Sequence, residues 1–122
     1  MTQRILIAED EVVAAFDLCD TVEEAGFRVE GPHAEIASAM LALQKHKPDL
    51  AILDIDLIDG NVFGLADTFA AEHVPIIFHS DREPPAELAE RFPHATTLTK
   101  PCPPDAMLAA VSDVLAHCAA EA

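Results

Sequence analysis

Lysine and arginine are scarce in this sequence. The chain has seven of them among 122 residues, against 22 aspartates and glutamates, and its formal net charge at pH 7 is −15. Direct nucleic-acid binding depends on Lys and Arg side chains that neutralise phosphates, so this composition argues against it. Basic protein surfaces and metal ions are the partners that such a charge favours.

Long apolar runs are also absent. The first run, which follows Met1-Thr2-Gln3-Arg4, has only about five residues, whereas a transmembrane helix needs roughly 18. No signal peptide is recognisable, so we expect a cytoplasmic protein without membrane contact. Apolar residues still make up 51% of the chain, which is enough for a packed core. The composition therefore predicts one compact domain over residues 1–122, without a linker.

The cysteines do not form a recognisable framework. There are three, Cys19, Cys102 and Cys118, without C-x-x-C spacing, and Cys19 and Cys118 fall at apolar helical positions. Reduced thiols in the core are the expected outcome, rather than a redox or metal site.

Short apolar segments alternate with helical periodicity along the whole chain. After the segment at residues 4–8, for example, Val12, Phe16, Cys19 and Val22 recur at helical spacing. The other predicted strands are residues 27–31, 50–53, 75–78 and 95–99, and the other helices begin near residues 36, 62, 84 and 106. Five strand–helix repeats predict an α/β fold, with a parallel sheet, right-handed crossovers and helices on both faces.

Polar residues stand where four of these strands end. They are Glu9-Asp10, Asp54, Ser80 and Lys100-Pro101. Each has an ordinary explanation: a helix cap, an acidic loop, a turn hydroxyl and a surface lysine, respectively. Ligands of doubly wound sheets bind beyond the carboxyl ends of the strands. The four strand ends line one crevice in the strand order 2-1-3-4-5 but not in 3-2-1-4-5-6, and these residues alone do not choose between the orders.

Taken together, the four motifs resemble the receiver domain of two-component response regulators. They are ILIAEDE with Glu9-Asp10, PDLAILDIDLIDG with Asp54, VPIIFHS with Ser80, and LTKP with Lys100-Pro101. The resemblance covers essentially the whole chain. It implies a doubly wound (βα)5 flavodoxin-like fold with the parallel sheet order 2-1-3-4-5, and a single-domain regulator without an output domain.

The resemblance implies that Asp54 accepts a phosphoryl group from the phosphohistidine of a histidine kinase or histidine phosphotransferase. Ser80 would then hydrogen-bond a phosphoryl oxygen. Lys100 would pair with Asp54 before phosphorylation and with the phosphoryl group afterwards, and the bond before Pro101 is expected to be cis. The chain would not be a conventional enzyme, because it would catalyse only its own phosphorylation and dephosphorylation.

The resemblance also implies a Mg²⁺ site, with Mn²⁺ as a substitute. Asp10 and Asp54 would bind the ion directly, Glu9 through water, and Asp56 through its backbone carbonyl. Independently of the resemblance, Mg²⁺ prefers oxygen ligands and is usually held by one or two carboxylates. A site with several acids and without His or Cys ligands suits this preference.

Several positions depart from the family pattern. Thr97 stands where receivers usually have a switch aromatic, and Asp81 where a small residue is usual. Ile58 and Val62 replace a common proline and a common glycine. We expect Asp81 to slow phosphoryl uptake from small donors or to restrict the access of water, and we expect His79, of opposite strand parity to Ser80, to be structural or solvent-facing.

Other functions are open at this point. The expected downstream contact is a protein bound to the face of the fourth helix, fifth strand and fifth helix, which includes Pro84-Pro85, Arg91 and Thr97. A pseudo-receiver that binds partners without phosphorylation is one alternative. A haloacid-dehalogenase-like phosphatase is another, since Asp54-Ile-Asp56 matches its D-x-D motif, although that family carries the motif on its first strand. The sequence does not distinguish a switch, a relay intermediate and a phosphate sink.

Overall fold

The computed structural model describes residues 2–121, and their side chains except those of Asn61 and residues 118–121. The prediction for Cys118 therefore lies outside the described side chains. The strands are β1 (Arg4–Ala8), β2 (Arg28–His33), β3 (Leu50–Asp54), β4 (Asp56–Leu57), β5 (Gly60–Asn61), β6 (Ile76–Ser80) and β7 (Thr96–Thr99). The helices are α1 (Val12–Glu24), α2 (Ile36–Lys45), α3 (Phe63–Ala71), α4 (Ala86–Arg91) and α5 (Pro104–Glu121).

Five of the strands form one parallel sheet in the order β2-β1-β3-β6-β7. This is the order 2-1-3-4-5 counted over the five predicted strands, so the predicted fold is confirmed. The strands β4 and β5 form a small antiparallel hairpin in the loop after Asp54, which was not predicted. In the register of the sheet Ala8 pairs with Leu53, and Asp54 with His79. The carboxyl ends of these strands therefore lie at the same edge of the sheet.

The core has two layers, one on each face of the sheet. Along β3, Leu50 and Ile52 pack toward α1 and α5, whereas Ala51 and Leu53 pack toward α2, α3 and α4. Successive side chains of a strand point to opposite faces, and every residue of β3 is buried, as expected for a central parallel strand. None of the helices that the model describes is long and apolar enough to cross a membrane.

Only two of the four apolar residues that indicated α1, Cys19 and Val22, lie on its inward face. Val12 and Phe16 are 65% and 57% exposed, and the buried residues of the helix are Ala15, Leu18, Cys19 and Val22. Because each helical residue advances about 100° around the axis, these four share one stripe, and Phe16 lies well outside it. The predicted core position of Cys19 is confirmed, and burial raises the pKa of its thiol to about 11. Cys102 is half-buried.

Several element boundaries also differ from the prediction: β6 continues to Ser80 rather than ending at residue 78, and α5 begins at Pro104 rather than near residue 106. The second strand does not end at Gly31 but continues through a cis Gly31-Pro32 bond to His33. This strand lies at the edge of the sheet, where a proline is tolerated because its missing N–H is not needed for pairing between strands. A Cβ at Gly31 would lie 2.6 Å from the Ile7 carbonyl oxygen, and the φ of Gly31 is 122°, so only glycine suits this turn. The fourth helix begins at Ala86 rather than at residue 84, with Pro85 as its N-cap residue.

Candidate functional site

Three carboxylates meet where β1 and β3 end. One oxygen from each of Glu9, Asp10 and Asp54 lies within 4.8 Å of the others, while Glu9 and Asp54 are only 3% and 8% exposed and Asp10 is half-buried. Burial, followed by a hydrogen bond with Asp54, raises the pKa of Glu9 from 4.5 to about 7. Carboxylates this close repel one another and resist desolvation. The cluster therefore favours a cation or a proton.

Lys100 supplies one positive charge to this cluster. Its Nζ donates to Asp54 Oδ2 at 3.1 Å and also pairs with Glu9 Oε1. Burial disfavours the charged ammonium, but the hydrogen bonds to Glu9 and Asp54 outweigh it and raise the pKa of Lys100. The backbone holds the lysine in place, because Lys100 N donates to the Ser80 carbonyl at 2.7 Å. The bond between Lys100 and Pro101 is cis, as predicted.

Backbone amides orient two of the three carboxylates. Glu11 N donates to Glu9 Oε2 at 3.2 Å, and Asp56 N donates to Asp54 Oδ1 at 3.3 Å. The cap of α1 is Glu11, whose carboxylate accepts from the amides of residues 13 and 14. The ordinary explanation of Asp10 as that cap is therefore wrong, and Asp10 lies in the acidic cluster instead.

Ser80 is the last residue of β6, and it is buried. Its Oγ accepts a hydrogen bond from Arg82 N at 3.2 Å. A hydroxyl has one hydrogen to donate and two lone pairs that accept, so this contact leaves the Ser80 hydrogen available to another acceptor.

The other two acids of the loop after β3 lie outside the cluster. The Asp56 carboxylate pairs with Arg82, whose Nε and Nη2 lie 2.9 and 2.8 Å from Asp56 Oδ2. The Asp59 carboxylate binds backbone amides of α2. Arg82 could not be recognised from the sequence, because its partner is 26 positions away and no local pattern connects the two.

The residues that depart from the family pattern have distinct surroundings. Thr97 is exposed on β7, opposite Phe78 in the register. Asp81 is exposed and lines, with Lys100 and His79, a groove of about 460 Å³ between α1 and the start of α5. His79 faces the α1 side of the sheet and is buried, so it is structural rather than solvent-facing. Ile58 is exposed and Val62 is buried.

The donor set of the cluster fits a hard divalent cation. Its three side chains offer only carboxylate oxygens, the ligands that Mg²⁺ prefers. Lys100 is the one cationic side chain that contacts them in the part of the chain that the model describes, so it leaves the group of three carboxylates with an excess of negative charge when all are ionised. A divalent ion would neutralise that excess.

Several known proteins resemble this chain in sequence, in fold or in both. The transcriptional regulatory protein PdtaR of Mycobacterium tuberculosis is 32% identical over 76 residues, which are 62% of this chain and 37% of that protein. The response regulator PhyR from Brucella abortus is 28% identical with a TM-score of 0.83, and the match covers 99% of this chain and 51% of that one. A CheY-like receiver domain protein from Methanospirillum hungatei JF-1 is 20% identical with a TM-score of 0.91 over both whole chains, which shows the fold alone.

The family model for the response regulator receiver domain matches residues 5–112. That range contains all five sheet strands almost completely, together with the acidic cluster, Ser80 and Lys100 at their carboxyl ends. The chain therefore belongs to the receiver domain family of two-component response regulators.

Proposed function

We propose that this receiver accepts a phosphoryl group on Asp54 from the phosphohistidine of a sensor histidine kinase or a histidine phosphotransferase. An Asp54 carboxylate oxygen forms the new bond to phosphorus, the phosphorus–nitrogen bond of the donor breaks, and the imidazole leaves with its electron pair. The observation that carries this proposal is the contact between the Lys100 ammonium and Asp54 inside the cluster with Glu9. A lysine beside a buried carboxylate can neutralise a phosphoryl group that arrives there.

Each neighbouring side chain has a role that its geometry permits. Lys100 pairs with Asp54 before transfer and binds the phosphoryl group afterwards. Ser80 donates its hydroxyl hydrogen to a phosphoryl oxygen while its Oγ still accepts from Arg82 N. Phosphoryl transfer needs mainly positioning and charge neutralisation from the protein, and these groups supply both.

The proposal includes a Mg²⁺ ion, for which Mn²⁺ can substitute. Asp10 and Asp54 would hold it directly, Glu9 through water, and Asp56 through its carbonyl. When bound, the ion would neutralise charge on the phosphoryl oxygens. Support comes from the three clustered carboxylates, and from the Asp56 side chain, which lies outside that cluster and pairs with Arg82.

The proposed partners follow from the same function. The phosphodonor is a kinase or phosphotransferase, and the proposal places the chain with it in the cytoplasm. A downstream protein would bind the face of α4, β7 and α5, where Thr97 is exposed and Arg91 forms ion pairs with Asp67 and Glu87. In this proposal residues 1–122 act as a single receiver domain that passes its signal by contact or by onward phosphotransfer.

The experiment that tests the proposal is intact-protein mass after incubation with acetyl phosphate or phosphoramidate. Wild type should gain about 80 Da, the mass of one phosphoryl group, only when Mg²⁺ is present. Asp54→Asn should gain nothing, whereas Asp59→Asn, the same change in the same loop but outside the cluster, should label like wild type. If small donors and a panel of phosphorylated histidine kinases all fail to label wild type, the proposal is wrong.

A phosphorylation-independent binding module is the second candidate. The observation in its favour is Thr97, a small exposed residue where the family has its switch aromatic. Partner binding that is identical in wild type and Asp54→Asn, with and without a phosphodonor, would support it. The phosphatase alternative is not proposed, because the D-x-D motif lies on the third strand of a receiver fold.

A further inference from the structure

Arg82 joins the two loops that flank the phosphoacceptor. Its guanidinium binds Asp56, and its backbone amide binds Ser80 Oγ at 3.2 Å. Asp56 is in turn connected to Asp54, because Asp56 N donates to Asp54 Oδ1 at 3.3 Å. The backbone of Arg82 is therefore two residues after Ser80, the expected phosphoryl-binding hydroxyl. Its guanidinium contacts Asp56, which is two residues after Asp54, the expected phosphoacceptor.

The ion pair between Arg82 and Asp56 is suited to exchange. The two side chains are 48% and 59% exposed, and exposed ion pairs contribute little to stability. Both guanidinium nitrogens lie against the single oxygen Oδ2 of Asp56, at 2.9 and 2.8 Å, rather than one against each carboxylate oxygen. The contact therefore lacks the two-oxygen geometry that makes arginine–carboxylate pairs strong.

A phosphoryl group on Asp54 would offer Arg82 a better partner. It brings about −1.5 to −2 charges and three acceptor oxygens, to which a guanidinium can donate two parallel hydrogen bonds. Because Arg82 N donates a hydrogen bond to Ser80 Oγ, the backbone of the arginine is close to one of the groups expected to contact that phosphoryl group.

We propose that Arg82 is a further phosphoryl-binding residue, which exchanges its ion pair with Asp56 for the phosphoryl group on Asp54. The exchange would draw the loop at residues 81–85 toward the site. It would provide a conformational response without the aromatic switch residue that Thr97 replaces. This inference rests on the proposed phosphoacceptor function.

The test is the affinity for beryllofluoride, a stable phosphoryl analogue, in the presence of Mg²⁺. Arg82→Ala should weaken binding about tenfold, and Arg82→Lys should restore it in part, because lysine keeps the charge without the planar fork. The matched control is Arg28→Ala, which removes the same charge from an exposed position where β2 begins, at the opposite edge of the sheet. It should change the affinity by less than about twofold, since exposed charges at that distance are screened.

A second variant tests the exchange itself without removing the arginine. Asp56→Asn keeps the backbone carbonyl but loses the carboxylate, so it should free Arg82 and tighten beryllofluoride binding by about threefold. The same substitution in the Arg82→Ala background should have no such effect. The NMR signal of Arg82 Nε–H should also shift when beryllofluoride binds to wild type.

The outcomes separate this inference from the proposed function. If Asp54→Asn abolishes binding but Arg82→Ala binds as tightly as Arg28→Ala, the phosphoacceptor stands and the role of Arg82 is wrong. Tighter binding by Arg82→Ala, or an equal effect of Asp56→Asn in both backgrounds, would also overturn it. If wild type binds no beryllofluoride and accepts no phosphoryl group from any donor, both proposals fail.

Discussion

Asp59 caps helix α2 from a distance of 23 positions along the chain. Its carboxylate accepts from Ile36 N at 2.6 Å and, through its second oxygen, from Ala37 N at 3.2 Å. The adjacent N-cap residue of the helix, Glu35, makes no such side-chain bond. Asp59 therefore satisfies two helix amides, connects the loop after Asp54 to α2, and stays outside the acidic cluster.

We expect Asp59→Ala to lower the urea midpoint of unfolding, because two helix amides lose their acceptor. Asp59→Asn should lose less, since an amide oxygen can still accept one bond. The bonds to Ile36 and Ala37 lower the pKa of Asp59 below 3.8. Stability from the ionised cap is therefore present above pH 3.8 and is lost as the pH falls through the lowered value. Equal midpoints for wild type and Asp59→Ala would show that the cap is not formed in solution.

Glu9 should make the stability of the apo protein depend on pH in the opposite direction. Its pKa is raised from 4.5 to about 7, so between these values the folded state binds more protons than the unfolded state. The contribution is fully present below pH 4.5 and is lost as the pH rises through about 7. Wild type should therefore lose stability relative to Glu9→Gln, measured as the free energy of unfolding, as the pH rises from about 5.5 to about 7.5. A constant difference in urea titrations at both pH values would contradict this prediction.

His79 is a buried residue of β6. It is 8% exposed, and neither ring nitrogen has a hydrogen-bond partner among the residues that the model describes. We expect His79→Leu to raise the free energy of unfolding by about 1 kcal/mol, because an apolar side chain of similar size removes the buried unpaired groups. The control is His94→Leu, at an exposed position, which should have little effect.

His79 should also make the stability of the protein depend on pH. Burial and the nearby Lys100 lower the pKa of His79 below 6.5, although Asp54 acts against this. The unfolded chain therefore binds the proton more readily, and wild type should lose stability relative to His79→Leu as the pH falls below 6.5. Destabilisation by His79→Leu at neutral pH would mean that the ring makes a favourable polar contact in solution.

Asp81 is expected to slow labelling by small phosphodonors. It is exposed, lines the same groove as Lys100, and adds negative charge near the proposed phosphoacceptor, which an anionic donor would approach. Asp81→Ala should therefore speed acetyl-phosphate labelling by about two- to fivefold at low ionic strength, and less at high salt. Asp113→Ala removes an exposed carboxylate on α5 and serves as the control. Equal rates for the two variants would remove the proposed role of Asp81.

The candidate site could be predicted from the sequence because its residues directly follow apolar strands. The apolar segments before Glu9, Asp54 and Ser80 predicted the strands, and the carboxyl ends of parallel strands predicted where ligands bind. The order of the strands was available only through the family resemblance. Pairing between strands joins residues that are distant in the chain, and local periodicity does not record it.

The sequence by itself determined the alternation of strands and helices, and with it the edge of the sheet where Asp54, Ser80 and Lys100 stand. The tertiary structure alone decided how the remaining polar groups are paired: Arg82 with Asp56, Asp59 with the amides of α2, and Lys100 with Glu9. Strand parity predicted that His79 and Ser80 point to opposite faces of the sheet. Only the packing of α1 and α5 on the face of His79 decided that His79 is buried. Backbone periodicity is local and repeats along the chain, whereas a contact between two polar side chains depends on which loops the whole fold brings together.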